Sequence, residues 1–103
     1  MLQSVPMTAS FRYCRNPEVV DRAIDGERLL IPIRHDATRP VELMVLNKVG
    51  AAIWDALEVP SGAEPVVQAI VARFEVPRKR AERDVESFLA RLAELDLIVR
   101  EAD

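Results

Sequence analysis

The stretch VLNKVGAAIWDAL, residues 45–57, constrains the fold most. An apolar run stops at Asn47, and a helical pattern begins at once. Asn47 suits an N-cap, because its side chain can accept from amides in a first helical turn. Val49, Ile53, Trp54 and Leu57 then share one face at helical spacing. Gly50 is unfavourable inside a helix, which suggests that it permits close packing there. The preceding VELMVL, 41–46, reads as a strand joined to the helix with no loop. Leu43, Met44, Val45 and Leu46 place apolar groups on both of its faces, as in a strand buried on both sides.

Other elements fall around this join. FRYCRNPE, 11–18, ends in the turn signal Asn16-Pro17. Residues 19–25 alternate weakly, Asp25-Gly26 is a tight-turn dipeptide, and 28–34 form a second strand, so a hairpin is expected. Pro32 cannot donate to a ladder and must face away from a partner or sit at a bulge. After the polar loop HDATRP, 35–40, the strand at 41–46 completes a three-stranded antiparallel meander, either as an edge or beside the C-terminal strand. Ser61 and Glu64 have capping-box spacing, and Pro65 suits a first turn. Val66, Val67, Ile70, Val71 and Phe74 line this second helix, which ends near Glu75. A third helix spans 78–95, with Ala81, Val85, Phe88, Leu89, Leu92 and Leu95 as its stripe. LIVRE, 97–101, closes the order as a short strand. The expected class is α+β, winged helix-turn-helix-like: a three-stranded meander, three helices and a C-terminal strand. Residues 1–10 read as a flexible N-terminal segment and 11–103 as one domain.

Composition narrows the chemistry. Half of the 103 residues are apolar and 30% are charged, as in a globular chain. The net charge of -3 argues against nucleic acid as a general partner. One cysteine, Cys14, excludes an internal disulfide and fits a reducing cytoplasm. With His35 the only histidine, no Cys/His metal set can be assembled. No membrane span or signal peptide is expected. There is no Gly-rich phosphate loop and no nucleophile motif, so neither an enzyme nor a cofactor is expected. Trp54 reads as core and His35 as surface. Arg78, Lys79, Arg80 and Arg83 crowd the start of the third helix, against its macrodipole, and hint at an anionic partner. A solvated face is the plainer reading of such a run.

If the strand at 41–46 is an edge, it carries no lysine or proline between 42 and 46, the residues that usually protect one. An added peptide strand would gain affinity from backbone hydrogen bonds and selectivity from side-chain pockets.

RNPEVV at 15–20, LNKVGAAIWDAL at 46–57 and AERDVESFLARLAELDLI at 81–98 resemble the PqqD family, precursor-peptide recognition elements of pathways that modify ribosomally made peptides. The resemblance covers about residues 11–100. It implies a non-catalytic, winged-helix-like peptide-binding domain. A precursor's leader segment adds beside the third strand, in the groove facing the third helix. The domain then presents the precursor to a modifying enzyme, often a radical S-adenosylmethionine (radical SAM) protein. Carried onto this chain, Leu43, Met44, Val45 and Leu46 match the edge strand, and Asp84, Phe88 and Arg91 match the groove side of the last helix. Arg80, Asp84, Ser87 and Arg91 form a polar flank at helical spacing. Asp84 and Arg91 are then the expected polar contacts, with Phe88 and Met44 lining a pocket; Phe88 as plain core is the competing reading. The loop HDATRP and the basic 78–80 segment depart from the family pattern, which leaves the pathway open. The basic helix start would favour an acidic leader. The alternatives are a winged-helix DNA-binding regulator, with Arg78, Lys79, Arg80 and Arg83 on a recognition helix, and a homodimer paired through the exposed edge.

Overall fold

The computed structural model describes residues 11–33, 38 and 42–102. In chain order the elements are β1 (Phe11–Arg15), β2 (Val19–Ile24), β3 (Glu27–Pro32), β4 (Met44–Leu46), α1 (Lys48–Ala56), α2 (Ala63–Phe74), α3 (Arg78–Glu94) and β5 (Ile98–Ala102). The fold is the expected α+β arrangement of a three-stranded antiparallel sheet, three helices and a C-terminal strand. The expected flexible segment 1–10 and all of the loop 35–40 except Thr38 lie outside the described residues.

β2, β3 and β4 form the antiparallel meander, in that spatial order. Asp25 and Gly26 turn the β2–β3 hairpin with φ of 51° and 82°, the paired left-handed conformation that a two-residue loop needs to follow strand twist. β4 pairs with β3 through Leu30↔Met44, Leu29↔Val45 and Arg28↔Leu46. Pro32 ends β3 beyond that ladder, so β4 loses no bond to its missing amide.

The sequence reading left two positions open for β4, and the structure makes it an edge. β5 pairs instead with β1, from Phe11↔Ala102 to Arg15↔Ile98. β1 was not recognised as a strand, because five residues whose partner lies some ninety positions away give almost no local signal. A second correction concerns α2. Its N-cap is Gly62, with no side-chain cap bond. Ser61 is drawn off by a backbone bridge to Tyr13, with bonds of 2.8 and 3.1 Å, and its hydroxyl donates to the Gly62 carbonyl. The expected capping box therefore does not form.

α3 ends where Asp96 adopts φ of 59°. The Leu97 amide donates to the Leu92 carbonyl at 2.9 Å and the Asp96 amide to the Ala93 carbonyl at 3.1 Å, closing a Schellman motif. Leu97 is thereby turned into the core, and the Asn16 amide group donates to the Asp96 carbonyl at 2.8 Å.

The core joins Tyr13, Leu30 and Leu46 to the apolar stripes of the three helices. Trp54 lies at its margin, 2% exposed. A buried indole N–H needs an acceptor, and Asp21 of β2 supplies one at 2.9 Å. The same carboxylate accepts two bonds from Arg28, at 2.7 and 3.2 Å. Arg28 also reaches Asp55 at 3.1 and 3.2 Å. Arg15 stacks over the Trp54 ring, 4.5 Å from its centroid, and its Nε donates to the Trp54 carbonyl at 3.1 Å. This network ties β1, β2 and β3 to α1.

The bonds from Arg28, helped by the Trp54 N–H, hold the Asp21 carboxyl below the usual range despite partial burial, and Asp21 and Asp55 in turn raise the Arg28 guanidinium further. Because the folded pKa is depressed, the contribution of Asp21 is complete above the unfolded value near 4 and is lost as pH falls through the folded one. Asp21→Asn should cost about 1 kcal/mol at neutral pH, a modest figure because the pair is partly solvated. In urea titrations its deficit relative to wild type should shrink steadily below about pH 4. A deficit that does not change with pH would show that Asp21 acts by shape and not by charge.

Candidate functional site

The join between β4 and α1 builds one wall of the site. The Asn47 side chain accepts from the Gly50 amide at 2.7 Å, so the helix is capped one residue after the strand ends. Beside this join lies an open cavity of about 580 Å³. Val45 contributes from β4, and Asn47, Val49, Gly50 and Ile53 from the cap and α1. The opposite wall is α3, through Arg80, Asp84, Ser87, Phe88 and Arg91. The volume falls within the range of ligand pockets, and the lining is about evenly divided between apolar and polar side chains.

Six of the nine sequence-derived candidates, Val45, Arg80, Asp84, Ser87, Phe88 and Arg91, meet around this cavity. The other three do not line it. Leu46 is only 6% exposed and packs in the core. Met44 is half-buried against the same core, so Val45 takes the place expected for Met44. This follows from strand alternation, which sends Met44 and Leu46 inward and leaves Val45 53% exposed. Leu43, 54% exposed, precedes β4 and stands clear of the cavity. Phe88 fits both readings made for it, as it is half-buried against the core and also lines the cavity.

Asn47, Val49, Gly50 and Ile53 also line the cavity and were not recognised as part of the site. The helical stripe marked Val49 and Ile53 as core, Asn47 read as a cap and Gly50 as a point of close packing, and no local signal shows that one end of the stripe faces an opening.

Among the described residues, β4 has β3 on one side and no strand on the other. β2 is the opposite edge, but it carries Asp21 and Arg22, charged residues of the kind that discourage strand addition. β4 reads Met-Val-Leu and carries none. It is the less protected edge of the meander, and it borders the cavity.

The electrostatics of α3 divide along its length. Arg78 points away from the cavity to Glu64 of α2, which it holds below the usual carboxylate range through hydrogen bonds. Arg80 lies 3.8 Å from Asp84, and Arg91 lies 3.5 Å from Glu94. All four of these side chains are largely exposed, and such helical pairs are weak enough to exchange for another charged group. The charge presented to the cavity therefore comes from Arg80, Asp84 and Arg91, while Arg78 does not line it and pairs across the surface with Glu64 of α2.

Among the described residues, no cluster of three or more His, Cys, Asp or Glu side chains could hold a metal ion. No described helix is long and apolar enough to cross a membrane.

The family model for coenzyme PQQ synthesis protein D (PqqD) matches residues 37–98. The chain belongs to the PqqD family. The match starts just before the edge strand and ends at the first residue of β5, so it contains every residue that lines the cavity. A solved structure, TbiB1 in complex with the TbiA(beta) leader peptide, is 34% identical to this chain. The similarity covers 87% of this chain and 99% of that one, with a TM-score of 0.71. No curated protein matches the chain.

Asn47→Ala should destabilise the protein by about 1 kcal/mol, because it leaves the Gly50 amide without its acceptor. Asn47→Gly should cost only a few tenths of that. Hydrogen exchange should show faster opening at Gly50 in both variants; unchanged protection would mean that the cap does not hold the start of α1.

Proposed function

We propose that this PqqD-family chain is a non-enzymatic adaptor for a ribosomally made precursor peptide. Residues 11–103 act as one peptide-binding domain in the cytoplasm. The precursor's leader adds as a strand to the free edge of β4 and lies between β4 and α3. The adaptor then presents the precursor to a modifying enzyme, with a radical SAM protein as the first candidate class. The observation that carries this reading is the unprotected β4 edge beside a cavity walled by α3. The likeness to TbiB1, whose structure holds a leader peptide, supports it.

Edge-strand addition satisfies the free backbone groups of β4 and is tolerant of sequence, so selectivity falls to the side chains beside it. Val45 and Phe88 offer apolar contact. Arg80, Asp84, Ser87 and Arg91 offer charge and hydrogen bonds along one flank of α3. Ion pairs as exposed as Arg80–Asp84 and Arg91–Glu94 cost little to open, which frees both guanidinium groups for acidic leader side chains.

The test is an amide NMR titration with the leader of the precursor encoded beside this chain, repeated with the cognate modifying enzyme. Perturbations should concentrate at residues 42–46 and 80–91. Val45→Lys should weaken leader binding about tenfold or more, since a lysine on an edge strand opposes strand addition. Arg80→Glu together with Arg91→Glu should flatten the salt dependence of binding, whereas Arg78→Glu should leave it unchanged. Silence in the titration both with and without the enzyme would rule out the adaptor reading. A protein whose mass rises with concentration, and whose dimer the leader does not displace, would instead assign the β4 edge to self-association.

A further inference from the structure

Gly50 occupies the third position of α1, in the middle of the cavity wall. Glycine is the least favoured residue in a helix after proline, and the backbone here gives no reason for it. Gly26 is the glycine with a positive φ, and Gly50 has ordinary helical geometry. The reason lies across the cavity. A Cβ at position 50 would stand 3.0 Å from Phe88 Cζ, 3.3 Å from Phe88 Cε1 and 3.2 Å from Asn47 Oδ1. The first of these distances is tighter than an ordinary contact, so the ring of Phe88 would have to give by a few tenths of an ångström.

Its direction of movement follows from packing. On the same helix Val85, Leu89 and Leu92 are fully buried in the core, and a close-packed interior does not yield. The open side of the ring is the cavity that Phe88 lines.

We propose that Gly50 is the residue that sets the depth of the groove. By lacking a side chain it lets the tip of the Phe88 ring rest against α1, and this keeps a recess open above Val49 and Ile53 for one large apolar side chain of the bound peptide. Gly50 acts through Phe88 and is a positioning residue, selecting the size of that anchor. The proposal rests on the peptide-groove reading above and adds the pair that decides which peptides fit.

The test uses the full chain, immobilised, against a phage-displayed library of random dodecapeptides. Wild type, Gly50→Ala, Phe88→Leu and the double variant are selected in parallel, and the affinities of the enriched peptides are measured by fluorescence anisotropy. Wild type should enrich peptides that share a large apolar anchor. Gly50→Ala should bind those peptides about tenfold more weakly, the scale expected when a methyl group is forced into a packed site, and should enrich smaller anchors. Its melting temperature should stay within about 5 °C of wild type, which separates a groove effect from unfolding. Phe88→Leu should shift selection to bulkier anchors, and in the Gly50→Ala background it should restore binding to within about threefold. If wild type and Gly50→Ala enrich the same anchor with equal affinity, Gly50 does not set the depth, while the groove reading stands. If wild type enriches no shared large apolar anchor, the recess proposed here falls, while the peptide-groove reading is decided separately by the leader titration above. Should Gly50→Ala fail to fold, Phe88→Leu decides alone: an unchanged anchor overturns the proposal.

Discussion

One indole proton organises much of this small protein. Trp54 fills the margin of the core, and its N–H cannot be buried there without an acceptor. Asp21 answers it from the middle of β2. A carboxylate placed there must itself be balanced, and Arg28 on the neighbouring strand does so while reaching Asp55 on α1. Arg15 closes the set by stacking on the indole from β1. The hairpin is thereby held at a defined position on α1 by polar contacts with directional geometry. β4 takes its place from that hairpin, so the position of the groove wall depends on a contact made on the far side of the meander.

The second constraint is the immediate passage from β4 into α1. A flexible linker here would let the edge strand drift relative to the helix behind it. Asn47 removes that freedom by ending the strand and capping the helix within one residue. The opposite wall, α3, shares the core with α1 and has supports of its own in the Schellman turn at Asp96 and in Asn16 bonded to that turn.

Much of this was legible in the chain, and the losses have physical causes. The Asn47 cap, the helical stripes and the Asp25-Gly26 turn are written in contiguous residues, and each formed as expected. The polar flank Arg80, Asp84, Ser87 and Arg91 was legible because helical periodicity projects it onto one line. β1 was missed because its partner lies at the far end of the chain, and Ser61 was misjudged for a related reason: its bridge to Tyr13 displaced a local capping role that its spacing with Glu64 allowed. Met44 and Val45 changed places because a one-residue difference in strand phase reverses which side chain faces out. Gly50 was recognised as a point of close packing, but the residue that packs there, Phe88, lies on a different helix, and sequence spacing does not reveal such pairs.

The pairing of β1 with β5 has a consequence of a different kind. It sets Phe11 directly opposite Ala102, so the two ends of the folded unit lie side by side, and neither strand contributes to the cavity. Such a unit is modular. A host polypeptide could enter and leave it through adjacent points, and a short bridge between residues 102 and 11 would allow the chain to be reopened elsewhere. Tethered to an enzyme in this way, the groove would offer a captured peptide at a high effective concentration set by the length of the tether. Because every residue around the groove lies between 45 and 91, such a connection would leave the groove itself unchanged.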